Sequence, residues 1–252
     1  MKSIAVLNQK GGVGKTTTVI SLAAAMARKN QRVLVVDADP QGNATSGLAV
    51  DKRVLPQTLY DGLLDTQLVA GQLQQPTSQD GVSIIPANET LAAAEVDLVQ
   101  LLEREKQLKR LLATVQDTDV ALIDCPPSLG LLTINALTAA DNLLLPVQAE
   151  YYALEGLGQL LDIVQRVRGG LNPSLEVLAV VMTMYDKRTM LSGQVQAELS
   201  RHFGDKLLKT AVPRNVRLAE APSYGVSIFE HDKWSKGARA YKQIAEEVMK
   251  LL

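Results

Sequence analysis

Two lysines enclose three glycines in a stretch of eight residues near the start of the chain. Residues 10–17 read Lys-Gly-Gly-Val-Gly-Lys-Thr-Thr and directly follow a short apolar run, residues 4–7. Glycines let backbone N–H groups approach phosphate oxygens closely, and a helix that begins just after them adds its positive end. The segment therefore predicts a phosphate-binding loop between a strand and a helix.

The side chains of this loop suit a nucleoside triphosphate with a divalent cation. Lys15 is predicted to contact the β- and γ-phosphates and to act in catalysis through its positive charge. The Thr16 hydroxyl is predicted to bind Mg²⁺. The residues predicted to contact the nucleotide are Lys10, Gly11, Gly12, Val13, Gly14, Lys15, Thr16 and Thr17.

Lys10 is an addition to the general loop pattern, which requires glycine where Gln9 stands. Such a lysine has three possible roles. It stays solvated, it neutralises phosphate charge within its own subunit, or it reaches the nucleotide of a partner subunit. The spacing of the residues does not choose among these three.

Carboxylates follow two further apolar runs. Asp37 and Asp39 come after residues 32–36, and Asp124 ends the run at 120–123. Ligands of α/β sheets bind at the carboxyl ends of strands, so these side chains are expected beside the loop. Mg²⁺ prefers oxygen ligands and keeps several waters, so Asp124 with Thr16 suffices as a predicted metal site. One of the pair Asp37 and Asp39 would contact a metal-bound water while the other orients the attacking water.

Strands and helices alternate along the chain, which predicts an α/β fold with a twisted, mostly parallel sheet flanked by helices on both faces. With the loop, this is the fold of P-loop nucleoside triphosphatases. Predicted strands cover residues 4–7, 32–36, 82–85, 120–123, 142–147, 175–183 and 207–211. Predicted helices cover 15–28, 131–140, 154–167, 194–203 and 238–251, with one or two more in 90–116.

Composition limits the class of protein. The 252 residues are 46% hydrophobic and contain no Pro-, Ser- or Gly-rich linker, so a single domain over residues 1–252 is expected. The single cysteine, Cys125, excludes an internal disulfide and an all-cysteine metal site. No apolar run suits a signal peptide or a membrane span, which favours the cytoplasm.

The net charge of the chain is −1, yet residues 187–217 hold seven basic and two acidic residues. This segment is a candidate surface for binding an acidic polymer.

Residues 10–17 resemble the deviant Walker A motif of the ParA/MinD ATPases, and the chain as a whole resembles chromosomal ParA proteins of the Soj type. The further segments that carry this resemblance are residues 39–48, 124–130, 146–156 and 212–223. Residues 50–80 match least. The motifs are specific and together span most of the chain.

The resemblance implies an ATPase that is weak alone and stimulated by a ParB-like partner, with ATP and Mg²⁺ as cofactors. It implies an ATP-dependent sandwich homodimer in which Lys10 contacts the partner's nucleotide. Asp39 would orient the lytic water and touch Mg²⁺ through water, and Pro213 and Asn215 would contact adenine. Arg188 and Arg217 would bind non-specific double-stranded DNA, placing the protein on the nucleoid and giving it a role in chromosome or plasmid segregation.

Three rival functions remain to be weighed. A MinD-like membrane-associated ATPase needs a basic amphipathic helix near its end, but residues 244–252 carry paired glutamates, so no stable membrane association is expected. An iron–sulfur carrier bridging two subunits needs at least two cysteines per chain. A nucleotide-dependent scaffold without hydrolysis disagrees with the presence of Lys10 and Asp39.

Overall fold

Seven strands form one sheet in the computed structural model, which describes residues 1–150 and 155–252. The strand order is β3-β4-β2-β5-β1-β6-β7, with β3 antiparallel to β4 and all other neighbours parallel. The strands are β1 Lys2–Val6, β2 Val33–Asp37, β3 Gln75–Pro76, β4 Val82–Ile85, β5 Val120–Asp124, β6 Asn142–Gln148 and β7 Glu176–Thr183.

Helices connect the strands and cover the sheet. Those before β5 are α1 Lys15–Ala27, α2 Asn43–Gly47, α3 Leu59–Leu64, α4 Ala70–Leu73, α5 Ala94–Asp97 and α6 Gln107–Leu112. The later ones are α7 Leu131–Ala139, α8 Glu155–Gly170, α9 Met190–Phe203, α10 Val216–Glu220, α11 Ile228–His231 and α12 Lys236–Leu251. Residues 151–154 lie outside the described part of the chain. They include the first residue of the helix predicted at 154–167 and part of the segment 146–156 that carries the resemblance.

Successive residues of the central strands enter two separate cores because side chains of a strand alternate between faces. In β1, Ile4 and Val6 join the core under α1 and α12, whereas Ala5 joins the core under α6 and α7. Both faces are thus covered, and the predicted fold class is confirmed.

The predicted strand at 207–211 is wrong. The segment forms one isolated bridge with the edge strand β7, Leu207 with Val180, and a second isolated bridge just beyond both elements joins Pro213 to Tyr185. The Leu208 N–H donates to the carbonyl of Val180, and the N–H of Val212, just after the segment, donates to the carbonyl of Met182. The chain therefore follows the edge of the sheet without a continuous ladder of hydrogen bonds.

The helical prediction for 90–116 also needs correction in extent. Only the short α5 and α6 are α-helical, and 3₁₀ turns lie between them. Leu101 is extended, and Glu103 has a left-handed φ of 51°, which interrupts any continuous helix.

Candidate functional site

The phosphate loop fills the connection between β1 and α1. Gly12 and Gly14 have φ values of 75° and 91°, a region that residues with a Cβ rarely adopt. A Cβ built on Gly14 would meet no described atom within 4 Å, so the space in front of the loop is open. Together, the backbone conformation and the open space suit a bound phosphate chain.

Two buried side chains anchor the loop to strands on one side of the sheet. The Asn8 amide donates to the carbonyl of Pro146 in β6 at 2.6 Å, while its oxygen accepts from the Lys10 N–H at 3.0 Å. The Thr183 hydroxyl at the end of β7 donates to the carbonyl of Val13 at 2.8 Å. The loop is therefore positioned by the sheet as well as by its glycines.

Lys15 is a buried cation in the first turn of α1. Its ammonium donates to the carbonyl of Lys10 at 3.3 Å, and no carboxylate lies within salt-bridge distance in the described chain. Burial lowers the pKa of Lys15, and the nearby Asp124 charge opposes that shift. An anion bound in front of the loop would stabilise the charged form.

Asp124 is the buried carboxylate nearest the loop. Its Oδ2 accepts from the Thr16 hydroxyl at 2.7 Å, whereas its Oδ1 is buried with no hydrogen-bond partner among the described residues. Burial, followed by the charge of Asp37, raises the pKa of Asp124 well above its ordinary value. A divalent cation would satisfy the free oxygen and favour the charged carboxylate, so these residues fit Mg²⁺.

Few protein ligands are available for that cation. Within residues 1–150 and 155–252, no group of three or more His, Cys, Asp or Glu side chains is arranged to hold a metal ion. A cation held by Thr16 and Asp124 would keep waters and phosphate oxygens as its other ligands, as Mg²⁺ commonly does.

Asp37 and Asp39 have different surroundings. Asp37 lies opposite Asp124 in the sheet register, and its carboxylate accepts from the Thr45 N–H at 2.8 Å and hydroxyl at 2.7 Å. Burial raises the pKa of Asp37 to about 6, against the effect of the Thr45 bonds. Asp39 accepts from the Gln41 N–H at 2.9 Å, and its charge also raises the pKa of Asp124. The structure therefore brings all three carboxylates to one edge.

Lys10 forms an ion pair with Glu150, a residue outside the phosphate loop. Its ammonium lies 3.0 Å from Glu150, and both side chains are 41% exposed. Arg214 approaches the other Glu150 oxygen at 3.6 Å, and the Gln148 amide also donates to Glu150. Sequence reasoning missed Glu150, although its place just after β6, at the carboxyl edge of the sheet, is a signal that could have found it.

A cavity of about 340 Å³ opens beside the loop and α1. Pro213 and Asn215, the predicted adenine contacts, both line it, together with Gly14 and Thr17. The other lining residues are Met184, Val212, Arg214, Val216, Leu218, Ala219 and Tyr241. Asn215 also caps α10 by accepting from the Arg217 N–H at 2.8 Å. The mainly apolar lining suits a flat heterocyclic base.

The two predicted DNA-binding arginines lie outside this site and are paired with acids. The Arg188 guanidinium binds Asp186 at 2.7 Å and lowers the pKa of that carboxyl. Arg217 binds Glu220 at 2.9 Å and lies 3.8 Å from Asp232. Both arginine side chains remain more than half exposed.

The sheet topology, the loop and the carboxylates at the strand ends define a P-loop nucleoside triphosphatase. Comparisons with known proteins narrow the class. A family profile described as "AAA domain" matches residues 1–177. The sporulation initiation inhibitor protein Soj of Bacillus subtilis is 52% identical over 248 residues, covering 98% of each chain. The chromosome-partitioning ATPase Soj of Thermus thermophilus is 50% identical, covering 99% of this chain and 96% of its own.

A solved structure agrees with these relatives. The protein from Mycobacterium smegmatis described as cobyrinic acid a,c-diamide synthase, with bound ATP analogue and magnesium, has a TM-score of 0.87 and 39% identity. The match covers 99% of this chain and 95% of that one. The chain belongs to the ParA/Soj family of chromosome-partitioning ATPases.

Proposed function

We propose that this protein is a nucleotide-dependent switch that binds DNA as an ATP-bound dimer and releases it on hydrolysis. The observation that carries the proposal is Lys10, whose ammonium is held by Glu150 at the rim of the site and not by its own loop. A half-exposed cation at that position is available to a nucleotide on a facing subunit. Two subunits would then close over two nucleotides, each donating Lys10 to the other.

ATP hydrolysis at this site needs little covalent chemistry from the protein. Loop N–H groups and Lys15 bind the phosphates, and Thr16 and Asp124 would hold Mg²⁺, which would supply positive charge that stabilises the transferring phosphate group. Asp39 orients a water whose oxygen attacks the γ-phosphorus. The bond from that phosphorus to the bridging oxygen breaks, the bridging oxygen leaves with ADP, the oxygen of the water leaves with phosphate, and one proton passes to the solvent. Pro213 and Asn215 hold the adenine in the adjoining cavity.

Dimerisation would couple the nucleotide to DNA. Arg188 and Arg217 are exposed and bind phosphate without reading sequence. Pairing two weak sites in one dimer multiplies avidity by about 10²–10⁴, so DNA is retained only while ATP holds the subunits together. A ParB-like protein would stimulate hydrolysis and release the dimer, and the protein would act in the cytoplasm on the nucleoid.

A MinD-like membrane role is the alternative. Its expected membrane-seeking helix corresponds to α12, but Tyr241, Ile244 and Val248 of α12 are buried in the core beneath α1. No helix in the described part of the chain is long and apolar enough to cross a membrane. An interfacial helix needs its apolar face free, so α12 favours the DNA role.

Binding to random-sequence duplex DNA, with and without ATP, tests the proposal. We expect ATP-dependent retention by the wild-type protein and loss of retention in an Arg188→Glu, Arg217→Glu variant, because phosphate contacts turn repulsive. Dimers should persist in that variant. DNA retention by the variant at low salt would place the contact elsewhere, and a ParB-like peptide should accelerate phosphate release from the DNA-bound protein.

Glu150→Gln should strengthen the ATP-dependent dimer. The exposed pair with Lys10 is worth about 0.2–1 kcal/mol and must break twice per dimer, so the dissociation constant should fall about two- to thirtyfold. Sedimentation with a slowly hydrolysed ATP analogue measures this. Glu105→Gln removes a comparable pair with Arg104 (2.9 Å) away from the loop and should change nothing. A weaker dimer in Glu150→Gln would contradict the competing role of Glu150.

A further inference from the structure

A basic groove lies between the end of α1 and the start of α12. Its volume is about 420 Å³. The groove is lined by Ala25, Arg28, Lys29, Phe229, Lys233, Trp234, Arg239 and Lys242, with no acidic residue among these described lining side chains. Five of the eight lining residues are cations, which selects for an anionic ligand.

Most of these cations have no acidic partner. Of these five cations, only Lys29 forms a salt bridge with a described residue, Glu246 at 3.1 Å. Arg28 and Lys233 lie over aromatic rings instead, at 5.6 Å from the centroid of Phe229 and 5.4 Å from that of Trp234. Cations that outnumber the carboxylates paired with them repel one another, and an anion that spans them removes this repulsion.

The groove lies next to Arg217, but most of its cations differ from Arg217 in having no salt bridge to a described carboxylate. Arg217 lies 3.8 Å from Asp232, and Lys233 and Trp234 are the next two residues along the chain. Arg217 must exchange carboxylate partners for phosphate, as must Arg188. Among the described residues, the groove cations other than Lys29 form no salt bridge, and only Lys242 of these acts on a nearby carboxyl, helping to lower the pKa of Glu246.

We propose that this groove binds the sugar-phosphate backbone of duplex DNA and extends the DNA-binding face from Arg217 along α12. The inference rests on the proposed function and names further contacts for it. Arg239 and Lys242 are three residues apart and lie on the same side of the helix, where both can reach one phosphate strand. Trp234 is 77% exposed and offers a flat surface to sugars.

The surroundings favour a polyanion over an anionic membrane. Insertion into a membrane surface requires a continuous apolar face flanked by cations. Here the apolar face of α12 lies in the core, and Trp234 is the one exposed large apolar side chain lining the groove within the described residues. The regularly spaced phosphates of a DNA duplex can pair with the cations, and this requires no apolar surface to enter a membrane.

The double variant Arg239→Glu, Lys242→Glu tests the groove. With ATP, its affinity for a random 30-base-pair duplex should fall tenfold or more, with a salt dependence reduced by about two counterions per subunit. ATP-dependent dimerisation and ATPase activity without DNA should not change. The matched control Lys109→Glu, Lys250→Glu makes the same charge change at exposed positions outside the groove and should bind DNA nearly normally.

Trp234 supplies a local signal because it is the single tryptophan of the chain. Its emission should change when duplex DNA is added with ATP. Unchanged emission, together with control-level affinity in the groove variant, would overturn the groove but not the proposed function if Arg188→Glu, Arg217→Glu still loses DNA. Failure of the wild-type protein to bind DNA would overturn both. Sedimentation of wild type, but not of the groove variant, with phosphatidylglycerol vesicles would assign the groove to membranes.

Discussion

Lys10→Ala should abolish the ATP-dependent dimer while leaving a monomer that still binds ATP. Lys15 and the loop N–H groups remain to hold the phosphates, so nucleotide affinity should fall only modestly. Removing one partner of a buried charged hydrogen bond at an interface costs about 2–5 kcal/mol, and a symmetric dimer loses two such bonds. The dissociation constant of the dimer should therefore rise by about 10³-fold or more.

Sedimentation velocity with a slowly hydrolysed ATP analogue measures this loss, and titration of a fluorescent analogue measures nucleotide affinity. Lys106→Ala is the matched control, since Lys106 is also a partly exposed lysine, paired with Glu103 at 2.6 Å far along the chain. Dimers of wild-type strength in Lys10→Ala would eliminate the cross-subunit role. The lysine would then be a solvated residue or a phosphate ligand within its own subunit.

Much of the site could be predicted because its parts are local or lie at strand ends. The strand predicted at 82–85 is β4, and the apolar run at 120–123 lies in β5. Parallel strands end at the same edge, so Asp37 and Asp124 were expected together, and they are register partners. A central strand of a parallel sheet that is covered on both faces consists almost entirely of apolar residues, so it is easily recognised in the sequence.

Features that depend on distant partners could not be predicted in this way. Residues 207–211 have the composition of a strand, but they form only one isolated bridge with β7, between Leu207 and Val180. Glu150 is 140 positions from Lys10, so no local pattern links them. A count of charges over residues 187–217 excludes Asp186, the residue that neutralises Arg188. Arg28, just after α1, and Arg239 and Lys242 of α12 line one groove only in the folded chain.

Asp39→Ala should trap the ATP-bound dimer on DNA. Asp39 is the carboxylate expected to orient the attacking water, and loss of such a group typically costs about 10²–10⁴ in rate. ATP binding and dimerisation do not require it, because Lys10, Lys15, Thr16 and Asp124 are retained. Phosphate release should fall about 100-fold or more, and DNA-bound protein should persist after ATP is removed.

Two further variants separate the carboxylate from the hydrogen bond that it accepts. In the wild-type protein the Gln41 N–H donates to the Asp39 carboxylate at 2.9 Å. Asp39→Asn keeps an oxygen that can accept this bond but has no negative charge, so it should be as inactive as Asp39→Ala. Asp51→Ala removes an exposed aspartate paired with Arg53 and should hydrolyse ATP normally. Activity in Asp39→Asn with none in Asp39→Ala would show that the bond to the backbone, and not the charge, is what hydrolysis needs. Turnover at the wild-type rate in Asp39→Ala would transfer the role to another group at this edge of the sheet, where Asp37 is already bonded to Thr45.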